Sequence, residues 1–304
     1  MTHDHPEYNA TVTEIRFAHS DLMVMRVEPD DGAICFEPGQ YTTLGLFTDE
    51  RRLDQVDPFD DSRHQLIRRA YSISCPILDD HCHLVPLEGS RFLEFYIALV
   101  RKDSDFPPSL TPRIFAMKTG HRIYVGRQAK GTYTLAPVAP DRDVLFFATG
   151  TGEAPHNAMI RQLLGSRHQG RIASFVCVRH LRDLAYLSTH RELEKQFPNF
   201  RYVTLTTRES ENIDRDHPGY VGKQYLQELF QGDRLRQLLG WIPDAATSHA
   251  FLCGNPQMIG APRRDPDGEH SFPDPKGMIE TLVEQGYRLD RPHDPGNIHF
   301  EKYW

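Results

Sequence analysis

The sequence predicts a two-domain α+β protein: an N-terminal antiparallel β-barrel over residues 1–140, then a doubly wound parallel α/β domain over residues 141–304. The first half consists of short candidate strands separated by turns, which is typical of a closed antiparallel barrel. The second half alternates continuous apolar runs with helix-like segments, as parallel sheets covered by helices do. With 304 residues, 39% of them hydrophobic, the chain is long and apolar enough to build two cores.

Six candidate strands occupy the predicted barrel. They are Ala10–Phe17, Leu22–Val27, Gln40–Leu46, Arg69–Ser74, Phe92–Val100 and His121–Val125. Pro38-Gly39 and Thr119-Gly120 supply the residue types that favour turns. The stretch from Asp49 to Gln65 mixes charges of both signs without apolar periodicity, so it is expected to form an exposed loop.

The second half begins with the apolar run Val144–Ala148, which predicts a strand buried on both faces. A glycine turn and a helix over Ala154–Leu164 are expected next. The remaining predicted elements are strand Ile172–Val178, helix Thr189–Gln196, strand Tyr202–Thr206, helix Lys223–Phe230, a last strand Ala250–Cys253 and helix Met278–Gln285. The segment from Gly260 to Lys276, with several prolines and charges, is expected to be an inserted loop.

Composition argues against several classes of protein. A net charge of -7 disfavours nucleic acid as a general partner. No apolar run approaches the roughly 20 residues that span a bilayer, so no membrane insertion is expected. The start, Met1–His5, lacks the features of a signal peptide, and a cytoplasmic protein is expected. The five scattered cysteines suit reduced thiols, and neither iron–sulfur nor zinc spacing is present, so no metal is predicted.

The run Arg69-Ala70-Tyr71-Ser72-Ile73-Ser74 is the first of three motifs with chemical potential. On a strand, alternate side chains share a face, so Arg69 and Tyr71 are expected on one face and Ser72 on the other. A guanidinium can hold a pyrophosphate, a phenol ring can stack on an isoalloxazine, and a hydroxyl can hydrogen-bond its reactive nitrogen edge. The chemistry suits a flavin dinucleotide, although so short a run also recurs by chance.

The second motif is the turn Thr149-Gly150-Thr151-Gly152-Glu153-Ala154-Pro155, after the first parallel strand. Its glycines let backbone amides approach phosphate oxygens, and the following helix directs its positive end to the same place. The alternative is an ordinary strand-to-helix turn. Glu153 either places a carboxylate near the phosphate site or points outward and favours the helix start.

The third motif, Cys253-Gly254-Asn255-Pro256-Gln257-Met258, ends the last expected strand. Ligands of open parallel sheets bind at the carboxyl ends of strands, so Cys253 is expected to face the same crevice as Gly150 and Gly152. A thiol beside a flavin–nicotinamide contact can shape hydride transfer without acting as a nucleophile. The alternative is a buried structural cysteine.

Together the three motifs resemble the ferredoxin/flavodoxin–NADP(+) reductase family, in particular its bacterial branch. Phe36–Tyr41, similar to the family's entry to the barrel, and the aromatic tail Phe300–Trp304 extend the resemblance over nearly the whole chain. The resemblance implies an FAD-dependent oxidoreductase that moves electrons between NADP(H) and a separate ferredoxin or flavodoxin, by hydride transfer to or from the flavin. Two alternatives stay open: a related reductase serving an oxygenase or another acceptor, and a flavin-bound electron-transfer or sensor subunit without nicotinamide turnover.

Carried over by position, the resemblance implies a role for each motif residue. Arg69 would bind the FAD pyrophosphate, Tyr71 would stack on the flavin, and Ser72 would lie near its reactive nitrogen. The implied catalytic residues are Tyr71, Ser72 and Cys253. The implied FAD contacts are Arg69, Ala70, Tyr71, Ser72, Ile97, Ala98, Leu99, Leu110, Thr111, Pro112, Thr151, Tyr303 and Trp304, although the tail could also be a simple hydrophobic docking of the terminus. The implied NADP(H) contacts are Gly150, Gly152, Arg179, Arg208, Lys223, Gly254, Asn255 and Met258.

NADP carries an extra phosphate on its adenosine ribose, and a selective site meets it with cations. Arg179 follows the second parallel strand and Arg208 the third, at positions that match family residues for this phosphate. Lys223 matches a third such position, usually arginine, and keeps the charge without the bidentate fork. The alternative is that all three are solvated surface cations.

Two further features bear on the resemblance. Where the family commonly has an aromatic residue after Ala-Pro, this chain has His156. Acidic electron carriers would be steered by a basic docking surface around the flavin domain. Its candidate residues are Arg51, Arg52, Arg63, Arg68, Lys118, Arg122, Arg127 and Lys130.

Overall fold

The computed structural model describes residues 5–53, 64–86, 89–101, 109–264 and 270–303. The chain divides into two compact units. Unit 1 comprises Met1–Thr134 and Asn157–Gln162, and unit 2 comprises Leu135–His156 and Leu163–Trp304. The domain limits 1–140 and 141–304 stay a prediction.

Unit 1 contains a six-stranded antiparallel sheet, and all six strands expected from the sequence are present with shifted ends. The strands are β1 Ala10–His19, β2 Leu22–Pro29, β3 Tyr41–Phe47, β4 Leu66–Ser72, β5 Leu93–Ala98 and β6 Arg122–Val125. They are ordered β4-β3-β6-β1-β2-β5, and every neighbouring pair is antiparallel. One short helix, α1 Thr111–Ile114, precedes β6.

Closure of this sheet rests on a single bridge. In the part of the chain that the structure describes, no ladder joins the outer strands β4 and β5, but the Ser74 amide donates to the Glu94 carbonyl at 2.8 Å. The sequence therefore predicted the antiparallel sheet correctly. Among the described residues, however, the barrel is not closed by a continuous set of hydrogen bonds between β4 and β5. Strands from around the sheet bury their apolar side chains in one core, including Val12, Met25, Leu44, Phe95 and Ile123.

Unit 2 contains a five-stranded parallel sheet in the order β13-β10-β7-β8-β9. Its strands are β7 Asp143–Thr149, β8 Ile172–Val178, β9 Phe200–Thr206, β10 Ser248–Gly254 and β13 Ile298–Lys302. A separate antiparallel pair, β11 Arg263–Arg264 and β12 His270–Ser271, lies in the expected inserted segment. The helices are α2 Glu153–Gly165, α3 Leu187–Gln196, α4 Ser210–Ile213, α5 Arg234–Leu239, α6 Pro256–Ile259 and α7 Met278–Glu284.

Helices cover both faces of the parallel sheet, which confirms the doubly wound class. On one face the Phe146 ring lies 4.9 Å from the His156 ring of α2. On the other, Phe147 stacks on Phe175 at 4.9 Å, in a core completed by α6, α7 and neighbouring segments. Because β7 and β8 are buried on both sides, their sequences are continuous apolar runs. None of the helices described is long and apolar enough to cross a membrane.

The order in which the chain adds strands to the parallel sheet reverses at β7. The connection after β7 leads to β8 on one side, whereas β10 pairs with β7 on the other side. In open parallel sheets, ligands bind in the crevice at the carboxyl ends of the strands next to such a reversal. The turns that follow β7 and β10 flank this point.

Two sequence-based expectations for unit 2 were wrong. Lys223–Phe230 is not a helix: Lys223 precedes a 3-10 helix over Leu226–Phe230. Leu226 and Leu229 are its buried residues, and a spacing of three suits the 3-10 turn. The strand ending at Cys253 is also not the last, because β13 adds a parallel strand beside β10. β13 is short and only its first two residues are buried, so it lacks a strong strand signal.

Candidate functional site

The turn after β7 has a backbone that only glycine accommodates. It passes from Thr149 through the 3-10 turn Gly150–Gly152 directly into α2. Gly150 has φ +53°, a left-handed conformation that side chains disfavour. A Cβ at Gly152 would lie only 2.2 Å from the Cys253 carbonyl oxygen. The glycines therefore allow this turn to lie against the end of β10.

The end of β10 is fitted to the same turn. Gly254 has φ +125°, and a Cβ there would collide with Thr149. The Asn255 amide donates to Thr149 Oγ1 at 2.7 Å. The Asn255 side chain in turn accepts from the Gln257 amide at 2.8 Å and caps α6. Two of the three sequence motifs are thus joined by direct contacts.

Tyr303, just beyond β13, connects both turns. Its amide donates to the Gly254 carbonyl at 3.1 Å, and its hydroxyl donates to the Thr151 carbonyl at 3.3 Å. The structure therefore brings together Gly150, Thr151, Gly152, Cys253, Gly254, Asn255 and Tyr303. Met258 is buried in α6, and Trp304 lies outside the described residues.

Cys253 is completely buried at the end of β10. Burial raises the pKa of its thiol well above the usual value, and the nearby Glu301 carboxylate adds to this, while a hydrogen bond with Tyr303 acts in the opposite direction. The thiol is therefore protonated at neutral pH. Because the thiolate is the reactive form, this burial disfavours a nucleophilic role for Cys253.

The predicted cations gather beyond β8 and β9. The Arg208 amide donates to the Arg179 carbonyl at 2.9 Å. Asn212 Nδ2 donates to the carbonyl of Gly222, the residue before Lys223, at 2.9 Å. The side chains of Arg179, Arg208 and Lys223 are all exposed. The backbone thus joins Arg179 and Arg208 at the ends of β8 and β9, and the segment before Lys223 is attached to α4, the helix that follows Arg208.

In unit 1 the first motif occupies the end of β4. Arg69 and Ala70 are exposed, Tyr71 is half-buried and Ser72 is buried. The Tyr71 ring meets the edge of Phe95 in β5, with ring centroids 6.4 Å apart. Burial raises the pKa of the Tyr71 phenol, so its hydroxyl stays neutral in the physiological range.

The other predicted FAD segments of unit 1 also lie side by side. The Val100 amide, just after Ile97–Leu99, donates to Thr111 Oγ1 at 3.1 Å. Ile97, Leu99, Leu110 and Pro112 are buried, whereas Ala98 is exposed. Phe95 of β5 also contacts Tyr71. Strand β5 and the residues directly after it therefore contact both of the other predicted FAD segments, Arg69–Ser72 and Leu110–Pro112.

Arg113, which sequence reasoning missed, holds the Leu110–Pro112 segment in place. It is one of the largest fully buried side chains. Its guanidinium donates to the Ser109 carbonyl and to the Thr48 carbonyl, each at 2.6 Å. Ser109 lies only four residues before Arg113, but Thr48 lies 65 residues away, so the local sequence does not predict the pair of contacts.

Two residues of α2 behave differently from their sequence-based interpretation. His156 is buried and packs against Phe146, so the histidine is accommodated in the packing of α2. Burial lowers the pKa of His156 to about 3, so its ring is neutral. Glu153 does not point outward: it is fully buried, and its Oε1 accepts from the Tyr202 hydroxyl at 2.7 Å.

The proposed basic docking surface is only partly available. Arg51, Lys118 and Lys130 are exposed. Arg51 and Lys118 line one cavity of about 130 Å³ together with Arg113. The other candidates are engaged or less accessible: Arg68 lies over the Tyr124 ring, Arg122 pairs with Asp30, Arg127 lies 3.9 Å from Asp31, and Arg52 is half-buried. Arg63 lies outside the described residues.

Comparison with known proteins identifies relatives. A family model described as the oxidoreductase NAD-binding domain matches residues 146–264. A flavodoxin/ferredoxin–NADP reductase from Shigella flexneri is 31% identical over 230 residues, covering 74% of this chain and 76% of the relative. A flavodoxin/ferredoxin–NADP reductase from Escherichia coli is 30% identical over 229 residues, with the same two coverages.

Solved structures share the fold. A ferredoxin NADP+ reductase from Neisseria gonorrhoeae, with bound FAD and NADP, has a TM-score of 0.70 at 19% identity and covers 98% of this chain and 99% of its own. A cytochrome P450 reductase from Amycolatopsis has a TM-score of 0.62 at 22% identity, covering 97% of this chain and 69% of its own.

Proposed function

The chain belongs to the flavodoxin/ferredoxin–NADP reductase family, and we propose that it transfers electrons between NADP(H) and a ferredoxin or flavodoxin with the help of bound FAD. The observation that carries this proposal is the joining of the glycine turn after β7, the end of β10 and Tyr303 at the carboxyl edge of the parallel sheet. When bound, FAD supplies the exchange between two-electron hydride chemistry and one-electron transfer.

The residues of unit 1 fit FAD. Arg69 offers an exposed guanidinium, the planar fork that pyrophosphate groups require. Tyr71 offers a phenol ring that Phe95 supports at its edge and that is only half-buried, so it can stack on a ring system. We propose that Ser72 lies near the flavin ring and that Ala70, Ile97–Leu99 and Leu110–Pro112 surround the rest of the cofactor.

The residues of unit 2 fit a nicotinamide dinucleotide. The glycine turn leads into α2, a 13-residue helix whose amino end favours anions. We propose that Gly150, Gly152, Gly254 and Asn255 receive the pyrophosphate and that Met258 lies nearby, while Thr151 contacts the ring region of the FAD. The exposed cluster of Arg179, Arg208 and Lys223 would select NADP through its 2′-phosphate.

The chain's own contribution to catalysis is binding and orientation. Cys253 stays a protonated thiol, so its proposed role is to shape the space where the nicotinamide meets the flavin. Tyr71 and Ser72 would orient the flavin, and Tyr303 with Trp304 would cover part of it. Hydride transfer depends on placing the two reacting atoms at short range, and such placement alone can provide a large rate advantage.

The absorption spectrum of the purified protein, followed by anaerobic bleaching, tests this proposal. We expect a yellow protein that NADPH bleaches faster than NADH does, and that then reduces a ferredoxin or flavodoxin. Negligible turnover with NADPH and an artificial acceptor would instead identify an electron-transfer or sensor subunit. A folded preparation that is colourless and does not take up added FAD would contradict the proposal. The cytoplasmic location stays a prediction.

A further inference from the structure

A buried polar group lies directly behind the glycine turn. Glu153 Oε1 accepts from the Tyr202 hydroxyl at 2.7 Å and lies 3.1 Å from His190 Nε2. The His190 and Tyr202 rings stack, with centroids 4.2 Å apart and planes 19° from parallel. All three residues are buried. A buried carboxylate is stable only when such partners replace the water that it has lost.

The partners of Glu153 are themselves fixed. Tyr202 belongs to β9, the outer strand of the parallel sheet, and among the described residues no strand pairs with the outer side of its backbone. Helix α3 supplies the missing partners: the Tyr202 amide donates to Glu194 Oε1 at 2.9 Å, and Arg191 donates to the Tyr202 carbonyl at 3.0 Å. His190 lies on the same helix. The carboxylate is therefore attached to a rigid assembly of β9 and α3.

The backbone of Glu153 belongs to the glycine turn. It is the first residue of α2, and its amide donates to the carbonyls of Gly150 and Thr151. The side chain thus links the turn, through a single residue, to β9 and α3. The Glu153 Oε2 atom is buried and accepts no hydrogen bond from any residue in the described ranges. The link therefore depends on Oε1 alone.

We propose that Glu153 is a positioning residue that, through Tyr202 and His190, holds the Gly150–Gly152 turn in the conformation that receives the nicotinamide dinucleotide. The proposal rests on the proposed function. Its mechanism is pre-organisation: the apparent dissociation constant equals the intrinsic one divided by the fraction of molecules in the competent conformation. Without the link, the turn populates other conformations and that fraction falls.

The test measures NADP+ binding by calorimetry, and KM and kcat for NADPH with an artificial acceptor, on the FAD-loaded full chain. In Glu153→Ala, we expect the dissociation constant and KM to rise about tenfold, as for a competent fraction reduced to about a tenth, with kcat within about twofold. Glu153→Gln keeps an oxygen that accepts from Tyr202, so it should stay close to wild type. Glu192→Ala, which removes a half-buried α3 carboxylate paired with Lys195, is the matched control.

Tyr202→Phe keeps the ring and removes the hydroxyl that donates to Glu153, so it provides the test if Glu153→Ala does not fold. We expect a several-fold rise in the dissociation constant for NADP+ and in KM for NADPH. Binding unchanged in folded Glu153→Ala or Tyr202→Phe would overturn the proposal, because a purely structural link lowers stability without moving KM. Glu153→Gln as weak as Glu153→Ala would also overturn it, since charge rather than the link would then matter. A wild-type protein that does not bind NADP+ would contradict the proposed function instead.

Discussion

At the scale of single residues, Tyr71 is the most direct test of the flavin site. Its ring is held at the end of β4 by an edge contact with Phe95. Tyr71→Ala removes the surface on which the flavin would stack, a contact worth about 1 kcal/mol beyond simple burial. We expect the ratio of FAD to protein after purification to fall, while Tyr71→Phe retains the flavin. An unchanged flavin content and spectrum in Tyr71→Ala would contradict the stacking role.

His156 makes stability depend on pH. Its folded-state pKa of about 3 lies below the ordinary value of 6.5, because burial disfavours the charged ring. Unfolding therefore takes up a proton between these two values. The stabilisation is complete above pH 6.5 and decreases, by up to about 1.4 kcal/mol per pH unit, as the pH falls toward 3.

His156→Phe replaces this ring by one that does not titrate. We expect the free energy of unfolding in urea to fall less between about pH 7 and about pH 5 in the variant than in wild type, because one proton-uptake site is removed. The variant must be compared with wild type at each pH, because both proteins keep His249. Burial also lowers the pKa of His249, to about 4, so this residue contributes a pH dependence of its own. An identical pH dependence in both proteins would show that His156 is not the neutral buried group described above.

Gly152, Glu153 and Arg113 show what the local sequence can and cannot predict. A glycine turn after β7 could be predicted because glycines permit close backbone approach, and the structure shows Gly152 lying against the Cys253 carbonyl. The inward orientation of Glu153 was not predicted, because its partner Tyr202 is 49 residues away in the chain. Arg113 is similar, since its acceptor at Thr48 lies 65 residues away. Neither partnership leaves a pattern in neighbouring residues.

At the scale of elements, we propose that the carboxyl ends of β8 and β9 set the choice between NADP(H) and NAD(H). The hydrogen bond between the Arg208 amide and the Arg179 carbonyl brings both cations to one edge. Arg179→Ala combined with Arg208→Ala should raise KM for NADPH at least tenfold, because charge-assisted hydrogen bonds contribute about 1.5–3 kcal/mol each. KM for NADH should change little, since NADH lacks the 2′-phosphate. Equal effects on the two nucleotides would contradict the phosphate assignment.

The elements themselves were predicted best where burial was greatest. β7 and β8 are covered on both faces, and their apolar runs left no alternative. β13 was missed because an outer strand with few buried positions resembles a terminal tail, and only its pairing with β10 reveals it. The segment 223–230 was misassigned because a leucine spacing of three fits both a helix and the shorter 3-10 turn.

At the scale of the whole molecule, a net charge of -7 coexists with a few exposed cations on unit 1. A carrier with an acidic surface would be attracted by Arg51, Lys118 and Lys130 despite the overall negative charge, because local charges dominate at short range. Salt shortens that range: the Debye length falls from about 10 Å at about 0.1 M to about 3 Å at about 1 M. The rate of carrier reduction should therefore fall as ionic strength rises.

Charge reversal tests whether Arg51 and Lys118 cause the salt dependence of carrier reduction. Arg51 and Lys118 line the same cavity, so Arg51→Glu combined with Lys118→Glu should slow carrier reduction about tenfold or more at low salt, and the difference from wild type should shrink at high salt. Lys195→Glu combined with Arg236→Glu, two exposed cations of unit 2, makes the same change in net charge and should have a smaller effect. Turnover with a small uncharged acceptor should be unaffected in both variants. A carrier-reduction rate insensitive to ionic strength, or equally slowed by the two double variants, would show that the carrier does not dock on these residues.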